Sequence, residues 1–147
     1  MTATAHPVGI KRPKYAPALP GSWVVAYRLH DPVTGGTLLY APCLATWSPE
    51  FEALLTGVDC LFLDGTFCSP DEMGIQTGDA KGQSAMGHLP VLGDTGSLVQ
   101  LRRFPSMRRI YTHLNNTNPL LDPASPESAE ITAAGVEVVE DGTTLAL

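Results

Sequence analysis

Among the residues of types that bind metals or move protons, Asp64 and His113 stand where an apolar strand gives out, and His88 stands at the end of a long loop just before a helix. Asp64 closes "CLFLD", His113 closes "RRIYTH", and His88 stands in "MGHLPV" behind a long glycine-laden stretch. Neutral imidazole and carboxylate oxygen together suit zinc, iron or manganese. The same groups can also carry acid–base chemistry. Spacing does not separate the two uses, because the chain contains no H-x-H, H-x-x-x-H or H-E-x-x-H run. Plain structural chemistry accounts for each residue too: Asp before Gly forms turns, and a histidine at a strand exit serves as a hydrogen-bonded cap. Behind His113 comes "LNNTNP", in which Asn115, Asn116 and Asn118 offer many donors and acceptors within a few positions. They can satisfy their own backbone in Asx-turns, fix the His113 imidazole in one tautomer, or hold a polar substrate.

Other chemistries find no support in the residues. A G-x-S-x-G elbow, a P-loop and a G-x-G-x-x-G fingerprint are all absent. Ser84 and Cys68 lie in the long loop with nothing local to activate them. The three cysteines, Cys43, Cys60 and Cys68, have no C-x-x-C spacing and make neither a disulfide framework nor a zinc knuckle. Cys60, inside an apolar strand, reads as a small buried hydrophobe.

The elements that must position Asp64, His88 and His113 follow from periodicity and turn chemistry. Residues 1–21 read as an extended, proline-rich arm, and 22–147 as the body of the domain. "SWVVAYRLH" alternates with period two, "DPVTGG" is a turn, and "TLLYAP" returns as the second arm of a hairpin. His30 and His6 read as exposed. Ser48-Pro49 and Ser125-Pro126 carry helix-start chemistry, with Gly57 and Gly135 as stops. Between them come the strand "CLFLD", a loop over 68–87, a helix in "GDTGSLVQLRRFP" with Asp94 or Thr95 near its cap, and the strand "RRIYT". The closing "VEVVEDGTTLAL" predicts a hairpin around Asp141-Gly142. This order predicts a mixed α/β sheet, and the near-continuous apolar strand 60–64 predicts cover on both of its faces.

Composition bounds the partners. With 9 basic and 15 acidic residues the net charge is −6, which argues against a nucleic-acid surface. No apolar run approaches the roughly 20 residues of a membrane helix, and the N-terminus lacks a signal-type apolar core. The default expectation is a soluble cytoplasmic protein.

Several longer strings carry a resemblance. "LFLDGTF…DEM", "MGHLPV…GSL" and "RRIYTHLNNTNPLLDPASPESAEITAAGVEVVEDG" closely resemble the C-terminal half of the pyrroloquinoline quinone (PQQ) biosynthesis protein B family, within the metallo-β-lactamase superfamily. The resemblance implies half of an αββα sandwich, a mixed β-sheet with flanking helices. It implies Asp64 and His113 as ligands of a divalent metal, iron or zinc, and His88 as a catalytic residue beside it. It further implies a small glutamate–tyrosine precursor as substrate, hydroxylated with iron and oxygen; Asn115, Asn116, Asn118 and Arg109 are the candidate substrate-binding residues. The superfamily's H-x-H-x-D-H-type segment is missing from this chain, so the metal site is expected to be incomplete here. A separately encoded N-terminal half is then the expected partner. Two further readings stand beside this one. The first is a non-catalytic carrier of the quinone or its precursor, using Arg102, Arg103, Arg108 or Arg109 for the carboxylates. The second is a truncated, non-functional fragment that self-associates through exposed apolar surface.

Overall fold

A computed structural model describes residues 1–12, 16–17, 19–72 and 86–147. One six-stranded sheet organises them, with each strand hydrogen-bonded to its neighbours in sequence. The strands are β1 (Thr2–Gly9), β2 (Val24–His30), β3 (Thr37–Ala41), β4 (Cys60–Asp64), β5 (Arg108–Thr112) and β6 (Val136–Val138). The pairs β1–β2 and β2–β3 are antiparallel, whereas β3–β4, β4–β5 and β5–β6 are parallel. Helices α1 (Pro49–Ala53), α2 (Ser97–Leu101) and α3 (Pro126–Ala133) lie in the three parallel crossovers, and a 3₁₀ turn spans Pro119–Leu121.

The topology dictates which face is covered. Right-handed crossovers that all step in one direction along a sheet deliver their helices to the same face. That face carries Leu39, Ala41, Leu61, Leu63, Tyr111 and Val136, which pack with Phe51, Leu55, Leu98, Leu101 and Ile131 into one core. On the other face Tyr27, Tyr40, Phe62 and Ile110 form a cross-strand row. Tyr27 and Tyr40 are exposed there and Phe62 is half-buried. The expected cover on both faces is thus found in full on one only, because among the described residues the helices all take the same side.

Local signals explain most elements. Ser48 Oγ accepts from Phe51 N at 3.2 Å and Ser125 Oγ from Ser128 N at 3.0 Å, so both Ser-Pro starts are capped as expected. Three expectations are corrected or sharpened. The N-terminal arm is extended, but its residues 2–9 are not free: they pair with β2 as the sheet's edge strand, a position that tolerates Pro7. Helix α2 takes Gly96 as its N-cap, with no side-chain hydrogen bond, where the sequence puts Asp94 or Thr95 near the cap. A Cβ at Gly96 would lie 2.4 Å from the Val91 carbonyl oxygen, so the chain approaches too closely there for any side chain. The closing hairpin has its turn, with Thr143 N donating to Glu140 O at 3.2 Å. Among the described residues it has no return strand, and β6 pairs only with β5, in parallel. The loop expected over 68–87 falls largely outside the described residues, as does Ser84.

Candidate metal centre

Parallel β3, β4 and β5 present their carboxyl ends along one edge of the sheet, and the chemistry-bearing residues collect there. Asp64 is the last residue of β4, His113 follows the last residue of β5, and Cys43 lies two residues beyond β3. His88 arrives from the segment before α2, where Leu89 N donates to Leu44 O at 2.6 Å. Gly65 makes the convergence possible. A Cβ there would sit 2.9 Å from Tyr111 Cβ, and Gly65 N donates to Thr112 O at 2.8 Å, which brings the exits of β4 and β5 into contact.

Asp64 is the centre of the cluster and is only 1% exposed. Its Oδ2 accepts from Leu44 N at 2.8 Å and lies 2.7 Å from His88 Nδ1. Its Oδ1 accepts from Thr66 N at 3.1 Å and from the Thr66 hydroxyl at 2.6 Å. A hydroxyl has one proton, so Thr66 Oγ1, having donated to Asp64, acts as an acceptor toward both rings. His113 Nδ1 is 2.8 Å from it and His88 Nδ1 3.1 Å. This arrangement directs the Nδ1 proton of each imidazole toward oxygen and makes Nε2 the nitrogen a metal would take, displacing any proton carried there, the pattern by which outer partners prepare histidines for a metal. The rings lie 5.5 Å apart between centroids, and Phe67 packs edge-on against His88.

Electrostatics agree with the geometry. The His88 pKa is raised to about 9, chiefly by its hydrogen bond to Asp64 and then by Cys43, against the opposing effect of burial. Metal-free protein at neutral pH therefore holds a proton where a cation would otherwise compensate the buried carboxylate. His113 has its side chain half exposed and is a non-glycine residue with positive φ, at 60°. Such a conformation is uncommon and concentrates at functional turns. It turns the ring back over the edge of the sheet, with Nδ1 3.7 Å from Asp64 Oδ1. Beside His113 runs a groove of about 810 Å³, lined among others by Phe62, Thr112, Leu114, Leu120 and Thr143.

The structure thus brings Asp64, His88 and His113 together. It adds Cys43, which the sequence reading passed over for want of a C-x-x-C partner. Cys43 Sγ, an Asp64 oxygen and a His88 nitrogen all lie within 4.8 Å of one another. A strand-end rule applied to β3 as well as to β4 and β5 would have found it. Cys68 is excluded as a nucleophile, since burial pushes its thiol up to about 12.

The expected substrate-binding residues divide. Asn116 is exposed, and Asn115 is half-buried with its amide donating to Thr117 Oγ1 at 2.6 Å. Asn118 is buried, and its amide faces inward. Nδ2 donates to Gly65 O at 2.7 Å and Thr66 O at 3.2 Å, while Oδ1 accepts from Leu120 N at 2.9 Å. Arg109 belongs at the opposite end of β5, 6% exposed, donating to the carbonyls of Met107, Leu101 and Gly135. Asn118 and Arg109 therefore bond to backbone groups of the fold itself. Buried donors must find acceptors, and backbone carbonyls meet both.

A one-sheet α/β unit with a histidine–aspartate cluster at its strand ends has a counterpart among known families. A family profile described as a beta-lactamase superfamily domain matches residues 1–114, and the chain belongs to that family. Within it, the chain is 41% identical over its whole length to the coenzyme PQQ synthesis protein B of Azoarcus sp. (strain BH72) and 38% identical to that of Cupriavidus necator. It covers 47% and 49% of those relatives, so it spans about half the length of the curated proteins it matches. A crystal structure of Zn²⁺-bound PqqB from Methylobacterium extorquens superposes with a TM-score of 0.78 at 35% identity, over 84% of this chain and 44% of that one.

The donor set here suits such an ion. One carboxylate, two imidazoles prepared at Nε2 and a nearby thiol are the ligand types that zinc and iron accept.

Proposed function

We propose that the chain acts in PQQ biosynthesis as the part of a metal-dependent hydroxylase that carries Asp64, His88 and His113. The observation behind the proposal is the convergence of these three side chains on one edge of the sheet around the Thr66 hydroxyl. Asp64 and His113 hold the ion, iron for the oxygenation, and the ion when bound supplies activation of dioxygen. His88 holds a proton on Nδ1 against Asp64 Oδ2 and manages proton movement beside the reacting ring. The groove along His113 receives a tyrosine side chain of a small glutamate–tyrosine precursor, with Asn115 and Asn116 at its rim. Hydroxylation replaces an aryl C–H by C–OH. Dioxygen gives one oxygen atom to the ring and the other to water, with an external two-electron reductant.

The remaining ligands come, in this reading, from a second segment that also covers the exposed row of Tyr27, Tyr40 and Phe62. The test mixes the purified chain with the N-terminal half of a relative, iron, a reductant and a Glu–Tyr-containing peptide, and follows a 16-dalton gain on tyrosine (one oxygen atom). Hydroxylation by the mixture, lost in His113→Ala, is expected. Unchanged iron content and activity in His113→Ala would refute the ligand assignment. The carrier reading draws less support: Arg102, Arg103 and Arg108 are each paired with a glutamate (Glu130, Glu52 and Glu137), and Arg109 is internal.

A further inference from the structure

We infer that Cys43 supplies a thiolate to the same ion, adding a sulfur donor to the oxygen and nitrogen donors already assigned. The inference rests on the metal reading above and adds a ligand to it. A tetrahedral ion with bonds of about 2.0–2.3 Å holds its donors roughly 3.5 Å apart. Cys43 Sγ already lies within 4.8 Å of an Asp64 oxygen, so a small inward movement brings the thiol to the spacing of an ion held by that carboxylate. The backbone prepares the same arrangement: Leu44 N, next in the chain after Cys43, is hydrogen-bonded to Asp64 Oδ2 at 2.8 Å. Cys43 is therefore fixed relative to the carboxylate through an adjacent peptide.

The three cysteines differ in kind. Cys60 and Cys68 are buried among apolar neighbours, whereas Cys43 is half-buried at the sheet edge, with Sγ 3.7 Å from the Gly87 carbonyl oxygen beside His88. A thiolate beside imidazole and carboxylate is accepted by zinc and iron alike, and by the same chemistry by the spectroscopic probe cobalt(II). Sulfur bonded to cobalt(II) gives an intense ligand-to-metal charge-transfer absorption in the near ultraviolet that oxygen and nitrogen donors do not.

The experiment titrates the full chain with cobalt(II), then displaces it with zinc, in the natural protein and in Cys43→Ala and Cys43→Ser. A charge-transfer band in the natural protein that both variants lack, with zinc bound at least roughly tenfold more weakly by the variants, is expected. Cobalt bound without that band, or a band that persists in both variants, overturns the assignment and leaves Asp64 and His113 standing. Absence of any cobalt or zinc binding by the natural protein, both alone and mixed with the N-terminal half of a relative, overturns the metal reading with it. Should both variants fail to fold, alkylation of the natural protein decides: zinc must protect Cys43 from iodoacetamide, and equal labelling with and without zinc refutes the inference.

Discussion

Replacing Asn118 by alanine is a sharp test of how the site is held. Its amide ties the exit of β4 to the 3₁₀ turn after β5 through Gly65 O, Thr66 O and Leu120 N. Thr66 O keeps a partner when the amide is gone, because Asn115 N also donates to it at 3.0 Å. Gly65 O and Leu120 N lose theirs. Each buried backbone group left unsatisfied costs about 1–3 kcal/mol, so the substitution should destabilise the chain by about 2–5 kcal/mol. Asn118→Asp should be no better, since a carboxylate would face two carbonyl oxygens. Urea unfolding followed by far-UV circular dichroism measures the loss as a lower midpoint at unchanged slope. A change below about 0.5 kcal/mol, the range of an ordinary surface substitution, would refute the assignment of Asn118 as a clamp.

Two further outcomes follow from the same geometry. Thr66→Val keeps the shape but removes the hydroxyl shared by Asp64, His88 and His113. Zinc affinity, read by competition with a chelating dye, should fall roughly 10–100-fold with little loss of fold. The second concerns pH. The His88 pKa is raised in the folded metal-free chain to about 9 from 6.5, so its protonated form stabilises the fold fully below pH 6.5 and progressively less up to about pH 9. Melting temperature should therefore decline across that window, and His88→Gln should flatten the decline. An equally steep profile in the variant would place the titration elsewhere.

Much of the fold is legible in the sequence where the deciding chemistry is local. Ser48 and Ser125 cap their helices within three residues, and the turn after His30 is built by Asp31, whose Oδ1 accepts from Val33 N at 3.0 Å. Elements fixed by distant partners are less legible. Strand β1 alternates only small residues, Ala3 and Ala5 against Thr2 and Thr4, and is interrupted by Pro7, so it exists because β2 offers it an edge. The C-terminal turn forms, yet its second arm finds no partner strand among the described residues, so turn chemistry alone does not make a hairpin. The site follows the same rule. Asp64 and His113 are legible as strand-end residues, and the family resemblance carries their expected role. The work of Asn118 and Arg109 depends on which carbonyls lie opposite them. Cys43 joins the cluster only because β3 runs parallel to β4, which no local spacing encodes.

The chain has four histidines, His6, His30, His88 and His113, and their ring resonances report on the site individually. Nitrogen-15 NMR of the labelled chain's imidazoles during zinc titration, with an unlabelled N-terminal half of a relative present, should show His88 and His113 changing together, with His6 and His30 unmoved. If zinc leaves those two rings untouched, or perturbs His6 or His30 in their place, the cluster at the ends of β4 and β5 is not a metal centre.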